Sequence, residues 1–552
     1  MMPASPLTKE PQVARRTADP SMQWWLDNRV VLLAFLALGV LVYSPVLSGF
    51  FLSDDFVYLS RVVHQPWPDV LLLQPGVFRP LHVLTWLIDY QLWGLNPLGF
   101  HVTNVVSHGL TAFTVTVVGR RLFGTVLAEP EARWTSLLAG LVFLVHPSHT
   151  EAVSWIIGRH DVLATLFELC SWLAYMRFRA GSGWPYLAFS LAAFFVALLF
   201  KESVLTFPLL LFGYEAFLVL LSRRPARTIG SGWTWPAAHL VVLAVYVVVR
   251  RLAVSELVSG YEQVFIELRG LLPIANLAVT ALRAFAPYVP LQLLPEAPRM
   301  GLTQVTILVA SVVGGAAGMA LVYRIWTRPT RFWLLLAFLL FALLVSCLPT
   351  VATSPSIIDS EGERYSYLPS VFAAMAVAAS VGALTRSPAV RAGLAAAVLL
   401  ILTAFLELSN DSWRLASDLS RGVLASLAAE TAGDEPLLVV VPDNLNGAFV
   451  YRNGLQEALE LFGGRSDARI QLAGLLFLRR PDETVVLERV DQPYALTLPG
   501  ERGTLHAGPS LGPSVTAAIV SLYRLDLTPR QAVRLAYYSA GRMSFAELRP
   551  GP

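Results

Sequence analysis

The chain reads as a polytopic α-helical membrane protein with a small α/β domain at its C-terminal end, and three observations predict it. Of its 552 residues, 55% are hydrophobic and only 14% charged, where soluble domains carry roughly 25% charged residues; the mean hydropathy is +0.58. Long uncharged runs recur along the first four hundred residues. Beyond Asn410 they give way to short apolar stretches separated by turn residues.

The first run, Val30 to Ser53, contains no charge and is long enough to cross a hydrocarbon core of ~30 Å as a helix. It follows a polar tail, residues 1–29, that carries Lys9, Arg15, Arg16 and Arg29. The run exceeds the roughly 7 to 15 residues of a cleavable signal, and Tyr43-Ser44-Pro45 is a poor cleavage site, so a retained first transmembrane helix is expected. Pro80 to Gly94 places Leu81, Leu84, Leu87, Ile88 and Leu92 at helical spacing, interrupted by His82 and Asp89; an interfacial helix is expected there.

Further spans are expected at His101–Phe123, Trp134–Val145, Val153–Tyr175, Tyr186–Phe200, Val204–Leu221, Trp235–Val249, Thr303–Tyr323, Phe332–Leu348, Tyr365–Leu384 and Ala389–Leu406, about eleven in all with the first. Leu271–Val289 is apolar, but Arg283, Pro273 and Pro287 make it a re-entrant or interfacial element in an outer loop, 255–302. With that count, Arg120/Arg121/Arg133, Arg177/Arg179, Arg223/Arg224/Arg227, Arg324/Arg328/Arg331 and Arg386/Arg391 share the side of the N-terminal tail. By the positive-inside bias that side is the cytoplasm; Arg250 and Arg251 are the exception. The other side then holds Asp54 and Asp55 in an outer loop, 54–100, and everything beyond Ser409.

The expected organisation is therefore a cytoplasmic tail (1–29), a membrane domain (30–409) and an extracytoplasmic α/β domain (410–552). In the last, Ser412–Ala429 is expected as an amphipathic helix, Leu437–Val441 as a buried strand, PDNLNG as a turn and Ala448–Phe462 as a helix. Strands follow at Ala468–Leu478 and Glu483–Leu487, then Ser514–Leu527 and a last helix after Pro529. No internal repeat is visible. Arginine outnumbers lysine (only Lys9 and Lys201) so heavily that the source reads as a GC-rich bacterium, and the location as its inner membrane. The net charge of +3 gives no reason to expect nucleic acid. Cys170 and Cys347 both fall in apolar runs and form no metal-type spacing.

The polar residues expected on the outer side form the candidate site. Asp54 and Asp55 follow the first span directly, with Arg79 downstream; acids that merely solvate a helix end are the plain alternative. HPSHTE supplies His146, His149 and Glu151, and GRHD supplies Arg159, His160 and Asp161. The spacing His-x-x-His-x-Glu suits a divalent metal but matches no recognised metal box, so no metal is predicted. Lys201-Glu202 ends an apolar helix either as a salt-bridged cap or as a contact to an anionic headgroup. Arg364, between Glu363 and Tyr365, either forks onto a phosphate or pairs with Glu361 or Glu363. Arg283 suits an anion in the headgroup layer or snorkels to water. Asn104, His108, Glu168, Glu215 and Glu407 read as bonds between helices.

Taken in order, SDDFVYL, FRPL, GLNPLGFHVTNVVSH, HPSHTEAVSWIIGRHD, FKES and ERYSYLPS resemble the GT-C membrane glycosyltransferases. The branch resembled carries tetratricopeptide tails and is similar to dolichyl-phosphate-mannose protein O-mannosyltransferases. The likeness covers roughly residues 30–406; the tetratricopeptide tail is replaced by the α/β domain. It implies a polyprenyl-phosphate-linked sugar as donor, an acceptor hydroxyl on a protein or glycan, and inversion on the extracytoplasmic face. The family's acidic motif falls on Asp54-Asp55 as catalytic residues, and its basic donor-phosphate residues on Arg79, Lys201 and Arg364. His149, Glu151, Arg159, Asp161, Glu202, Arg283 and Tyr365 are the further substrate-binding candidates. One aspartate would act as general base, worth ~10² to 10⁴-fold, while the cations hold the leaving phosphate; no cofactor is obligatory. An inactive scaffold of the same fold and a lipid-linked saccharide flippase are the rival readings, and the tail is expected to be a lid or acceptor-docking module.

Overall fold

The structure, a computed structural model, describes residues 28–72, 77–222, 233–254, 272–288, 330–351, 353, 355–356, 359–430, 437–464, 470–489, 494–497, 504–507, 522–525 and 533–548. The expected span Thr303–Tyr323, most of the N-terminal tail and most of the loop 255–302 lie outside the described residues. The helices are α1 (Asn28–Val42), α2 (Asp54–His64), α3 (Pro80–Trp93), α4 (Pro97–Phe123), α5 (Glu129–Leu144), α6 (Arg159–Arg177), α7 (Trp184–Phe200), α8 (Phe207–Ser222), α9 (Thr234–Ala253), α10 (Leu272–Arg283), α11 (Thr330–Cys347), α12 (Tyr367–Leu384) and α13 (Pro388–Glu430). Among the described residues, six helical stretches are long and apolar enough to cross a membrane, starting at Pro97, Glu202, Thr234, Thr330, Glu363 and Pro388. Helix α4 packs on α5 and α6, α6 on α7, and α12 on α5 and α11. Leu33, Leu41, Leu220, Val248, Leu340 and Leu400 stay exposed, an apolar exterior suited to lipid.

Three helices differ from expectation for local reasons. The first ends at Val42, not Ser53: Pro45 opens a 3₁₀ turn, Ser44–Val46, and a Cβ on Gly49 would stand 2.9 Å from Val46 O, so the chain folds back to the Phe51–Ser53 segment. Helix α6 starts at Arg159 rather than Val153. Gly158, where a Cβ would come 2.4 Å from Glu151 O, lets residues 150–158 fold as short turns, which brings GRHD to the helix mouth. The expected span at 389–406 and amphipathic helix at 412–429 are one helix of 43 residues, about 65 Å long. Polarity changes along it, but no proline after Pro388 breaks it. Helix α10, twelve residues long, covers only about 18 Å and does not span.

The C-terminal unit holds a sheet in the order β6-β3-β1-β8-β9, with β2 paired to β1. Its strands are β1 (Leu437–Leu445), β2 (Ala448–Phe449), β3 (Ile470–Leu478), β6 (Thr504–Ala507), β8 (Val533–Ser539) and β9 (Arg542–Leu548); β4 (Val486–Arg489), β5 (Tyr494–Thr497) and β7 (Leu522–Leu525) form a second sheet. Strand β1 runs parallel to β3 and β8, and α14 (Leu455–Phe462) joins β2 to β3. Two expectations fail here. The helix after Pro529 is the hairpin β8-β9, whose turn takes positive φ at Ala540 and Gly541, as a type I′ turn requires. The helix expected from Ala448 begins at Leu455; PDNL continues β1, only Asn446-Gly447 turns, and Gly454 (φ 81°) precedes the helix.

Candidate active site

The acid pair is split by its surroundings. Ser53, before the first turn of α2, has φ 48° and ψ −117°, a backbone state costing on the order of 1–3 kcal/mol outside glycine. From it the two carboxylates diverge. Asp55 is buried and accepts from the backbone N–H of Leu52 (3.0 Å) and of Ile157 (2.9 Å), which staples α2 to the turn before α6. Burial drives its carboxyl well above the ordinary aspartate range, against those two N–H groups. Asp54 is half-buried, and its Oδ1 accepts from Asn453 Nδ2 at 2.6 Å. The two acidic candidates thus differ: Asp55 is enclosed and bonded to backbone, and Asp54 is half-buried.

Three ion pairs gather around these turns. Glu151 accepts from Arg364 Nη1 at 2.7 Å and from the Arg364 backbone at 3.0 Å. Burial pushes the Glu151 carboxyl up to about 7, with Arg364 opposing. The Arg364 guanidinium lies over Trp155 (5.2 Å), Tyr365 (5.0 Å) and Phe449 (6.0 Å), and Trp155 Nε1 donates to Leu52 O. Lys201 Nζ stands 5.4 Å from the centre of the same Tyr365 ring and donates to both oxygens of Asp161 (2.6 and 2.7 Å). Arg79 Nε donates to Glu202 at 3.1 Å, a second bond joining Nη2 to the same carboxylate; these side chains are 11% and 20% exposed. Trp155, Arg364, Tyr365 and Lys201 therefore form a continuous run, tied through Leu52 O to the segment that precedes Asp54.

Three expected ligand residues lie elsewhere. Arg159 is fully buried against Asp89, Phe100 O and the Trp86 ring, so it has no face left for a substrate. His149 is sealed among His108, His146, Phe143 and Tyr367, with Nε2 2.7 Å from Ser370 Oγ. Arg283 donates to the carbonyls of Ser356 and Asp359 and pairs with Glu363 at 3.6 Å, tying α10 to the loop before α12. No cluster of three or more His, Cys, Asp or Glu suited to a metal occurs among the described residues.

Residues that the chain's linear order conceals complete the arrangement. Tyr58, His82 and His160 pack edge to face beside Asp161. His82 is buried, and neither ring nitrogen has a hydrogen-bond partner among the described residues. From the C-terminal unit come Phe449, Tyr451, Arg452 and Asn453; Arg452 bridges Glu361 and Asp443. Their only signal in the sequence is the pair of turn dipeptides, Asn446-Gly447 and Asn453-Gly454.

No protein-family model matches the chain. Part of it is similar to protein O-mannosyl-transferases. Tmtc1 of Drosophila melanogaster is 36% identical over 131 residues, 24% of this chain and 14% of that protein. TMTC4 of Mus musculus is 40% identical over 146 residues, 23% of this chain and 19% of that one. The matches thus span less than a fifth of these relatives' length. Among solved structures, ArnT from Cupriavidus metallidurans in the apo state aligns with 90% of this chain and 100% of its own at 14% identity and a TM-score of 0.37. The same protein bound to undecaprenyl phosphate aligns with 89% of this chain and 100% of its own at 15% identity and a TM-score of 0.35.

Proposed function

We propose that this membrane-embedded relative of the protein O-mannosyl-transferases is an inverting glycosyltransferase of GT-C type. It moves a sugar from a polyprenyl phosphate to an acceptor hydroxyl at the extracytoplasmic face. The observation that carries the reading is a half-buried carboxylate, Asp54, which shares the surroundings of Tyr58 with Arg79, while Lys201 lies in the field of both Arg79 and Arg364. Asp54 takes the proton of the acceptor hydroxyl as its oxygen forms a bond to the anomeric carbon. The bond from that carbon to the donor phosphate oxygen breaks with its electron pair, and polyprenyl phosphate leaves. Attack opposite the leaving group inverts the centre. The growing charge on the phosphate is met by fixed guanidinium and ammonium groups in a site largely shielded from water, where such contacts are strongest.

The similarity to protein O-mannosyl-transferases makes mannose the sugar to try first and a protein hydroxyl the first acceptor class. The arginines support this sidedness. Helix α4 runs from the site to Arg120 and Arg121, α6 runs from Arg159 to Arg177, and Arg391 pairs with Glu131 at the start of α5. Positive charge therefore collects at the end away from Asp54, which by the positive-inside bias faces the cytoplasm. In a bacterium the active face would be periplasmic.

The test is transfer from radiolabelled polyprenyl-phosphate mannose in membranes that hold the full chain. Asp54→Asn is expected to lower the rate by about 10² to 10⁴-fold with unchanged membrane insertion. Undiminished transfer removes the base, and with it this reading, in favour of a scaffold or a flippase.

A further inference from the structure

We propose that residues 450–454 of the C-terminal unit are a permanent clamp on the acid-bearing turn, and that Asn453 is a positioning residue for Asp54. This rests on the reading of Asp54 as the base. The tail is then neither a detachable lid nor an acceptor-docking module but one wall of the site.

The strained residue makes the case. A non-glycine residue at φ 48°, ψ −117° persists only where its surroundings over-determine it. Ser53 is held from two sides. On the membrane side, Asp55 bonds the backbone of Leu52 and Ile157. On the other, the amide, hydroxyl and carbonyl of Ser53 all meet the C-terminal unit, the carbonyl also accepting from the Phe56 N–H at 3.1 Å. The Ser53 N–H donates to Val450 O at 2.8 Å, and its Oγ accepts from the Asn453 N–H at 3.2 Å. Its carbonyl oxygen abuts Gly454, where an added Cβ would stand 2.5 Å away.

The clamp is itself anchored. Val450 and Tyr451 donate to the carbonyls of Asp443 and Pro442 in β1, and Tyr451 stacks on Phe56 at 5.8 Å and 9°. Its hydroxyl donates to Ser420 O in α13 at 2.7 Å, and Arg452 crosses to Glu361. From this platform the Asn453 amide takes Asp54 Oδ1 and leaves Oδ2 to receive the proton. Gly454, at φ 81° with Ser53 O against it, is the position that only glycine fills.

Two measurements on the full chain in detergent test this: backbone hydrogen exchange over residues 50–58, and transfer from polyprenyl-phosphate mannose. Gly454→Ala is expected to speed exchange at the Ser53 amide at least tenfold and to cut transfer about a hundredfold. Asn453→Asp, equal in size but unable to donate, is expected to lower kcat about 10- to 30-fold with the donor KM within twofold, and Asn453→Gln to recover part of the loss. Glu457→Gln, one turn away, should behave as wild type.

Unchanged exchange in Gly454→Ala overturns the clamp; wild-type kcat in Asn453→Asp overturns the positioning role. Should Gly454→Ala fail to accumulate, the Asn453 variants decide alone. Full transfer by Asp54→Asn would remove the catalytic reading, while the exchange result still decides the clamp.

Discussion

Arg159 and Arg364 both follow a glycine-led turn into a helix beside the site, and they do opposite work. Arg159 has a fully enclosed side chain: its Nη1 is on Asp89, its Nη2 on Phe100 O at 2.9 Å, its Nε on Ile156 O at 3.3 Å, and Trp86 lies beneath it. Arg364 is one-fifth exposed, rests on three rings and holds one buried carboxylate. A guanidinium whose nitrogens are all committed stabilises the protein; one at an open edge has capacity for a phosphate. Asp55 and Asp54 repeat the contrast with the opposite charge. The proposed chemistry uses the charged groups that are paired on one side and accessible on the other.

The sealed pair gives the largest expected effect. Arg159→Ala strands Asp89 in the interior, a change that costs about 3–5 kcal/mol when one partner of a buried pair is lost. The variant should accumulate poorly and melt well below wild type in detergent; a near-normal melting temperature would mean that Asp89 finds water and that the pair is not structural. The open pair should respond the other way. Arg364→Lys keeps the charge but loses the planar fork, so transfer is expected to fall about a hundredfold with the melting temperature nearly unchanged. A variant that lost stability but kept its rate would place Arg364 with Arg159.

Much of the helical architecture was legible because uncharged runs have few alternatives in a membrane protein. Where it was misread, one residue usually explains the difference. Pro45 ends α1 early, Gly158 delays α6, and the 43-residue α13 continues through the change of polarity at Ser409 because a helix can change its exposed face without breaking. The candidate site was legible as a list of charged residues in short motifs. Burial was not, and burial separates Asp54 from Asp55 and Arg364 from Arg159. Asn453 lies 399 positions from Asp54. Nothing local in Asn-Gly distinguishes a clamp from an ordinary turn.

The smallest effect separates stability from turnover at a single carboxylate. Glu151 is held up to about 7 by burial, above the ordinary 4.5 it has in an unfolded chain. Between these values the folded protein keeps a proton that the unfolded chain has released, so this group's contribution to stability falls as pH rises through that window and is flat above it. Transfer should run in the opposite direction, because the ionised carboxylate is the form that grips the Arg364 guanidinium. In wild type, therefore, the melting temperature relative to Glu151→Gln should drop from pH 5 to pH 7 while the transfer rate climbs over the same interval. Melting curves and initial rates collected on both proteins across that range check it. Identical pH dependence in the two proteins would mean that Glu151 does not titrate in this range, and the link between its charge and Arg364 would fall.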